Sequence, residues 1–220
     1  MTNREAIYQV KTLLEDKTGM LPHMRRVSNR MILKALKDAR ASVTQTQRIN
    51  NAKVEINKFS LQTLPCVAME EVDKTRGIPC IPRSGKYWTR SKYPIPDVIG
   101  NKITSVASID GNSIFSFADW DKLKYKINSR FEAQNNSGYF TLKSEEDGVH
   151  LYVENKEILA VSVTALFSDP YEVKSFPLCD SERSIICNPL EEEFVVEVEL
   201  IPLIINQAVN FITPGNTNRN

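Results

Sequence analysis

The chain reads as an α+β protein, with an N-terminal helical pair, a small antiparallel β-domain in the middle and a long C-terminal helix. Three observations carry that reading. Apolar residues recur at helical spacing through the first 43 residues, short apolar runs broken by Pro and Gly begin at Phe59, and the C-terminal apolar residues fall at steps of four and three. The corresponding segments are a helical region over 1–58, a β-rich domain over 59–188, a helix over 189–212 and a flexible tail over 213–220. A chain of 220 residues, 41% hydrophobic and 25% charged, can bury a core.

Thr2 followed by Glu5 has the form of a capping box, and Ile7, Val10, Leu13 and Leu14 then line one helical face until Gly19. After the Leu21-Pro22 break, Ser28 can cap a second helix. Its stripe is Ile32, Ala35, Leu36, Ala39 and Val43, with Arg30, Lys34, Lys37 and Arg40 largely off it. The two helices are expected to run antiparallel. Residues 44–58 are polar and either extend the second helix or lead into strands.

Residues 78–96 hold Ile78-Pro79-Cys80-Ile81-Pro82 and Tyr93-Pro94-Ile95-Pro96 around a basic, aromatic stretch, so an extended arm is expected there, because residues before proline avoid the helical region. Ile103–Ile109, the turn Asp110-Gly111-Asn112 and Ile114–Phe117 read as one hairpin. Tyr139–Leu142, the turn Glu145–Gly148 and Val149–Val153 read as a second, followed by a strand over Ile158–Leu166. In the C-terminal segment Phe194, Val198, Ile201, Ile205, Ala208 and Ile212 make a helical seam. Asn188 as N-cap, Pro189 at the first helical position, the Glu191–Glu193 run and Thr213-Pro214-Gly215 frame it as a helix, which Pro202 is expected to kink.

The net charge of +1 conceals an uneven distribution. Residues 1–92 carry 18 Lys/Arg against 8 Asp/Glu, and residues 93–220 carry 10 against 19. Along the chain the protein is electrically two-ended, which suits head-to-tail stacking or one-sided steering toward nucleic acid. Cys66, Cys80, Cys179 and Cys187 make no CxxC pair, so four buried or half-buried free thiols are expected, with no metal held by cysteine. No apolar run nears the roughly 20 residues that span a bilayer, and the start of the chain lacks a signal-peptide pattern; a cytoplasmic site of synthesis without a membrane is expected.

Catalytic equipment is sparse. His23 and His150 stand in no HExxH, HxE or triad context, and eight scattered glycines make no phosphate loop. The carboxylates Asp119 and Asp121 around Trp120, Glu145-Glu146-Asp147 and Glu191–Glu193 are accounted for by a loop or helix start, a solvated turn and a helix dipole. No catalytic, cofactor-binding or metal residues are therefore assigned. The recognition candidates are Arg83, Lys86, Tyr87, Trp88, Arg90 and Lys92, because Tyr, Trp and Arg dominate protein interfaces, while the same mix of bases and aromatics also suits nucleic acid.

The order of parts resembles the head-to-tail connector, or neck ring, proteins of short-tailed bacteriophages, above all those of the crAss-like phages of gut Bacteroides. The likeness rests on the helical pair Arg4–Leu14 and Asn29–Val43, the Pro-punctuated basic segment, and the phrase Gly100-Asn101-Lys102-Ile103-Thr104-Ser105-Val106 leading to Asp110-Gly111. Ser162–Val173 and an acidic C-terminal helix complete it. The resemblance implies a structural virion protein without catalysis, assembled in the host cytoplasm. It further implies a twelvefold homo-oligomeric ring, portal and adjacent neck or tail ring proteins as partners, and genomic DNA passing through the lumen without specific binding. The other classes compatible with the residues are a nucleic-acid-binding accessory protein and a glycan-binding or cell-wall-acting virion enzyme.

Overall fold

The computed structural model describes residues 1–18, 27–50, 61–72, 88–119, 138–155, 157–179 and 188–213. In chain order these form α1 (Asn3–Thr18), α2 (Asn29–Asn50), β1 (Gln62–Glu71), β2 (Thr89–Ser91), β3 (Val98–Ser108), β4 (Ile114–Phe117), β5 (Tyr139–Glu145), β6 (Gly148–Val153), β7 (Ala160–Phe167), α3 (Pro170–Lys174) and α4 (Ile201–Ile212). The chain divides into two compact units, one of Met1–Leu61, Ser168–Pro170 and Ile186–Asn220, the other of Gln62–Phe167 and Tyr171–Ile185.

The first unit is helical. The capping box closes as its residue types require: the Thr2 amide donates to Glu5 Oε2 at 2.9 Å and the Glu5 amide to Thr2 Oγ1 at 3.3 Å. Ser28 Oγ accepts from the Met31 amide at 3.2 Å and starts α2. Ile7, Val10 and Leu14 of α1, Ile32, Leu36 and Ala39 of α2, and Ile204, Ala208 and Val209 of α4 share one core with Phe194 and Leu200. The segment before α4 is sewn to the N-terminus by an antiparallel bridge between Thr2 and Glu193 and by the Phe194 amide donating to the Met1 carbonyl at 2.9 Å. Arg40, buried, ties α2 to the chain on either side by donating to the carbonyls of Val195 and Ser168 at 2.8 and 3.0 Å. Lys37 pairs with Asp169 at 2.5 Å.

The second unit is a closed barrel with strand order β1-β2-β6-β5-β4-β3-β7, β7 returning to pair with β1. Neighbouring strands are antiparallel except β4 and β5, which run parallel through Ser116–Tyr139 and Phe117–Phe140. Closure removes the exposed edges that a small open sheet would leave. Leu64, Val67, Val106, Phe115, Phe140, Leu151, Val153, Val163 and Phe167 fill the interior. Pro65, which has no amide hydrogen to give, and Cys66 fall in the break of register between Leu64 and Val67, the kind of irregularity where a strand tolerates proline.

The α+β expectation is corrected on two counts. The β-rich part is a seven-strand barrel with one parallel pair, not a small antiparallel domain, and it includes β1 and β2, to which the sequence pattern assigns no strand. The long C-terminal helix is also absent. Residues 189–197 run as turns and irregular chain, a 3-10 turn covers Val198–Leu200, and α4 has only 12 residues. Pro202 does not kink a helix from within; it lies in the first two positions of α4, where its missing amide hydrogen costs nothing. The thiol expectation fails for Cys66 and Cys179, which form a disulfide across 113 positions of chain. Cys80, Cys187, Gly19, Trp120, Asp121 and the tail from Pro214 lie outside the described residues.

The opposite charges of the two halves of the chain do not separate in the fold either. The basic α2 shares a unit with the acidic segment around Glu191–Glu199, and Arg4 of α1 pairs with Glu191. By sequence range the first unit carries 13 Lys/Arg against 11 Asp/Glu and the second 15 against 16.

Candidate functional site

The densest polar arrangement among the described residues lies across β1, β2, β6 and β5. Strand register aligns it. Glu70 stands opposite Arg90 and Arg90 opposite Tyr152, while Lys143 faces His150 on the neighbouring strand pair. Side chains alternate along a strand, so the residues between them, such as Leu151, Val153 and Phe140, turn into the barrel.

Arg90 is the hub. Its Nε donates to Glu70 Oε1 at 3.1 Å, one terminal nitrogen donates to the same oxygen at 2.5 Å, and the other donates to Glu145 Oε2 at 2.7 Å. The second Glu145 oxygen accepts from the Tyr152 hydroxyl. His150 is wholly buried; its Nε2 lies 3.0 Å from Asp147 Oδ1 and its Nδ1 lies 2.8 Å from the Ser91 carbonyl and 3.2 Å from Ser91 Oγ. Ser91 Oγ in turn accepts from the Leu151 amide at 3.1 Å.

The titrations follow from this packing. Burial opposes the charge on Arg90, but the hydrogen bonds and negative charges of Glu70 and Glu145 outweigh it and hold the guanidinium above its ordinary value. Burial also opposes the charge on Glu145; the Tyr152 hydroxyl and Arg90 outweigh it, and the carboxyl sits below the ordinary range. The bond to His150 holds Asp147 low as well. Tyr152 is pushed well above the usual phenol value, first by burial and then by the Glu145 carboxylate beside it.

Donor atoms of Glu145, Asp147 and His150 lie within 4.8 Å of one another, a spacing a divalent cation could bridge. Each of the three is already engaged within the chain, and the Arg90 charge adjoins Glu145, so a cation would have to displace existing bonds. As it stands, the arrangement fastens the β5–β6 turn and the short β2 to the barrel wall.

Of the six recognition candidates, Arg83, Lys86 and Tyr87 lie outside the described residues. The other three are not on one free arm. Trp88 is buried with Ala118, Tyr139 and Tyr152, Arg90 belongs to β2 and to the network above, and only Lys92 is exposed, its ammonium 5.4 Å from the centre of the Tyr93 ring. The stretch 89–91 is a barrel strand, which corrects the reading of 78–96 as an extended arm over that part. Asp119 is exposed and does not join the Glu145 group. The sequence reading separated His150 from Glu145–Asp147. The signal that joins them is hairpin register: a turn at Glu145–Gly148 sets Lys143 opposite His150 and aligns the polar positions 150 and 152 on one face.

Comparison with known proteins matches residues 20–217 to the family described as phage tail ring protein 2. The chain is also similar to Ring protein 2 of Bacteroides phage crAss001, with 27% identity over 172 residues, covering 74% of this chain and 71% of that protein.

Proposed function

The chain belongs to the phage tail ring protein 2 family, and from that premise we propose that it forms a closed, twelvefold ring of identical subunits in the phage neck, joins the portal to the tail and continues the channel through which the genome passes. The match over residues 20–217, nearly the whole chain, carries this reading. A structural role without catalysis is supported by the polar network, whose acidic and imidazole groups are spent on holding strands together. The absence of separate acidic and basic units bears on the channel as well. A lumen lined by many Lys/Arg would bind DNA through counterion release at every subunit, whereas mixed, near-balanced units allow a wall over which DNA slides. The reading places the protein in the virion. Tagging the chain and locating the tag on intact particles by electron microscopy tests it: label at the neck is expected, and label on the capsid surface or on fibres away from the axis overturns it.

A further inference from the structure

Within the barrel unit, the disulfide between Cys66 and Cys179 joins β1 to the stretch Tyr171–Cys179. That stretch lies against the barrel: Phe176 is buried among the interior residues and Val173 of α3 packs against them. Its turns close on themselves, the Ser175 amide donating to the Tyr171 carbonyl at 2.9 Å and the Phe176 amide to the Val173 carbonyl at 3.3 Å. Two apolar side chains and a sulfur bridge therefore reach from it to the strands.

The bridge is separable from the strand pairing. Cys66 sits in the register break of β1, which is paired on both sides of it, Leu64 with Val163 and Val67 with Val161 of β7. The ladder that closes the barrel thus needs neither the bond nor the sulfur. Both cysteines are half-buried, within reach of small thiol reagents. A bridge that solvent reaches and the ladder does not need can be made and broken with the barrel intact.

Disulfides persist in oxidising surroundings and are kept reduced in a cytoplasm. A virion protein meets both in turn. We propose that Cys66 and Cys179 are a redox latch, open as two thiols while the subunit is made and assembled inside the host, and closed in the released particle, where the bond pins the Tyr171–Cys179 stretch to β1. The latch rests on the reading of the chain as a virion protein assembled in the host, and adds to it a change of state on release. Closure takes two exchange steps with a small-molecule disulfide as oxidant. The thiolate of one cysteine attacks it, forming a mixed disulfide and expelling one thiolate; the thiolate of the other attacks the protein-bound sulfur, closing the Cys66–Cys179 bond and expelling the second. The protein gives up two electrons and two protons, which convert the oxidant into two thiols.

The test quenches infected cells and purified particles with acid, alkylates the free thiols and reads the Cys66 and Cys179 peptides by mass spectrometry. Both cysteines are expected to be alkylated in the intracellular protein and linked to each other in the particle. A bond already present inside cells overturns the latch, as do free thiols in the particle; absence of the chain from particles overturns the virion reading, and the latch with it. A second arm exposes the purified full chain to trypsin. Reduction should speed cleavage after Lys174, exposed at the end of α3, at least about tenfold, and leave cleavage after Lys143 of β5 unchanged. The Cys66→Ser, Cys179→Ser variant should be cut at the reduced rate with or without reductant. Equal rates at Lys174 in the two states of the wild type, or an equal rise at Lys143, would show that the bond does not hold this stretch in particular and would overturn the proposal.

Discussion

Trp88 immediately precedes β2 and Arg90 lies within it, two residues on, and both act inside the subunit. Trp88 packs with Ala118, Tyr139 and Tyr152. Replacing it with Ala should therefore cost about 3–5 kcal/mol of folding stability, read by chemical denaturation; an unchanged midpoint would return it to the surface role that its composition suggests. Arg90→Ala strands the facing oxygens of Glu70 and Glu145 and should cost about 2 kcal/mol, since its bonds are charge-assisted and partly buried. Glu145 and Asp147 both sit below the ordinary carboxylate value in the fold. The unfolded chain then takes up protons first. Their contribution is complete above the ordinary carboxylate range, near about pH 4, and is lost as pH falls from there toward the lower folded values. The pair of substitutions Glu145→Gln and Asp147→Asn should flatten that acid limb, measured by denaturation at a series of pH values; a limb as steep as wild type would show that other carboxylates govern it.

At the scale of elements, the disulfide between Cys66 in β1 and Cys179 closes a long loop around the barrel unit. A cross-link spanning this much chain contributes about 4 kcal/mol through the unfolded state. Reductant should lower the denaturation midpoint of the wild type and leave a Cys66→Ser, Cys179→Ser variant unmoved; equal midpoints with and without reductant in the wild type would contradict the bond. Gly148 is a second point of constraint, because a β-carbon there would meet the Pro94 ring at 2.7 Å in a backbone of φ +142°, so Gly148→Ala should open the β5–β6 turn and cost about 1–3 kcal/mol. The two hairpins, β3 with β4 and β5 with β6, were legible because each couples alternating apolar residues to a turn with Gly at a fixed place, and α1 was legible from its capping box. The barrel was not. Its closure depends on a parallel β4–β5 pair and on β1, whose Pro65 breaks the strand pattern just where the register slips, and pairing between distant strands leaves no local periodicity. The C-terminal segment departs from the expected helix because Phe194 and Val198 satisfy a helical spacing while the backbone of Glu193 and Phe194 is drawn away to pair with Thr2 and Met1. The polar network was half legible: its turn was visible as a solvated acidic corner, but the partners that bury it come from β1 and β2.

At the scale of the whole molecule, the charge asymmetry of the chain is a property of sequence order that the fold undoes by bringing 191–199 back onto the first helix. Assembly of the free protein should accordingly depend on apolar patches with local charged rims more than on a large dipole, and its rate should fall only modestly with added salt. Among the described residues no helix is long and apolar enough to cross a membrane. The central claim is that identical copies close into a ring on the phage axis. Symmetry-free averaging of the neck in electron micrographs of intact particles measures this directly. The account predicts a closed twelvefold layer of barrel-bearing subunits around a central channel between portal and tail; an open arc, single copies, or density of this chain away from the axis would contradict it.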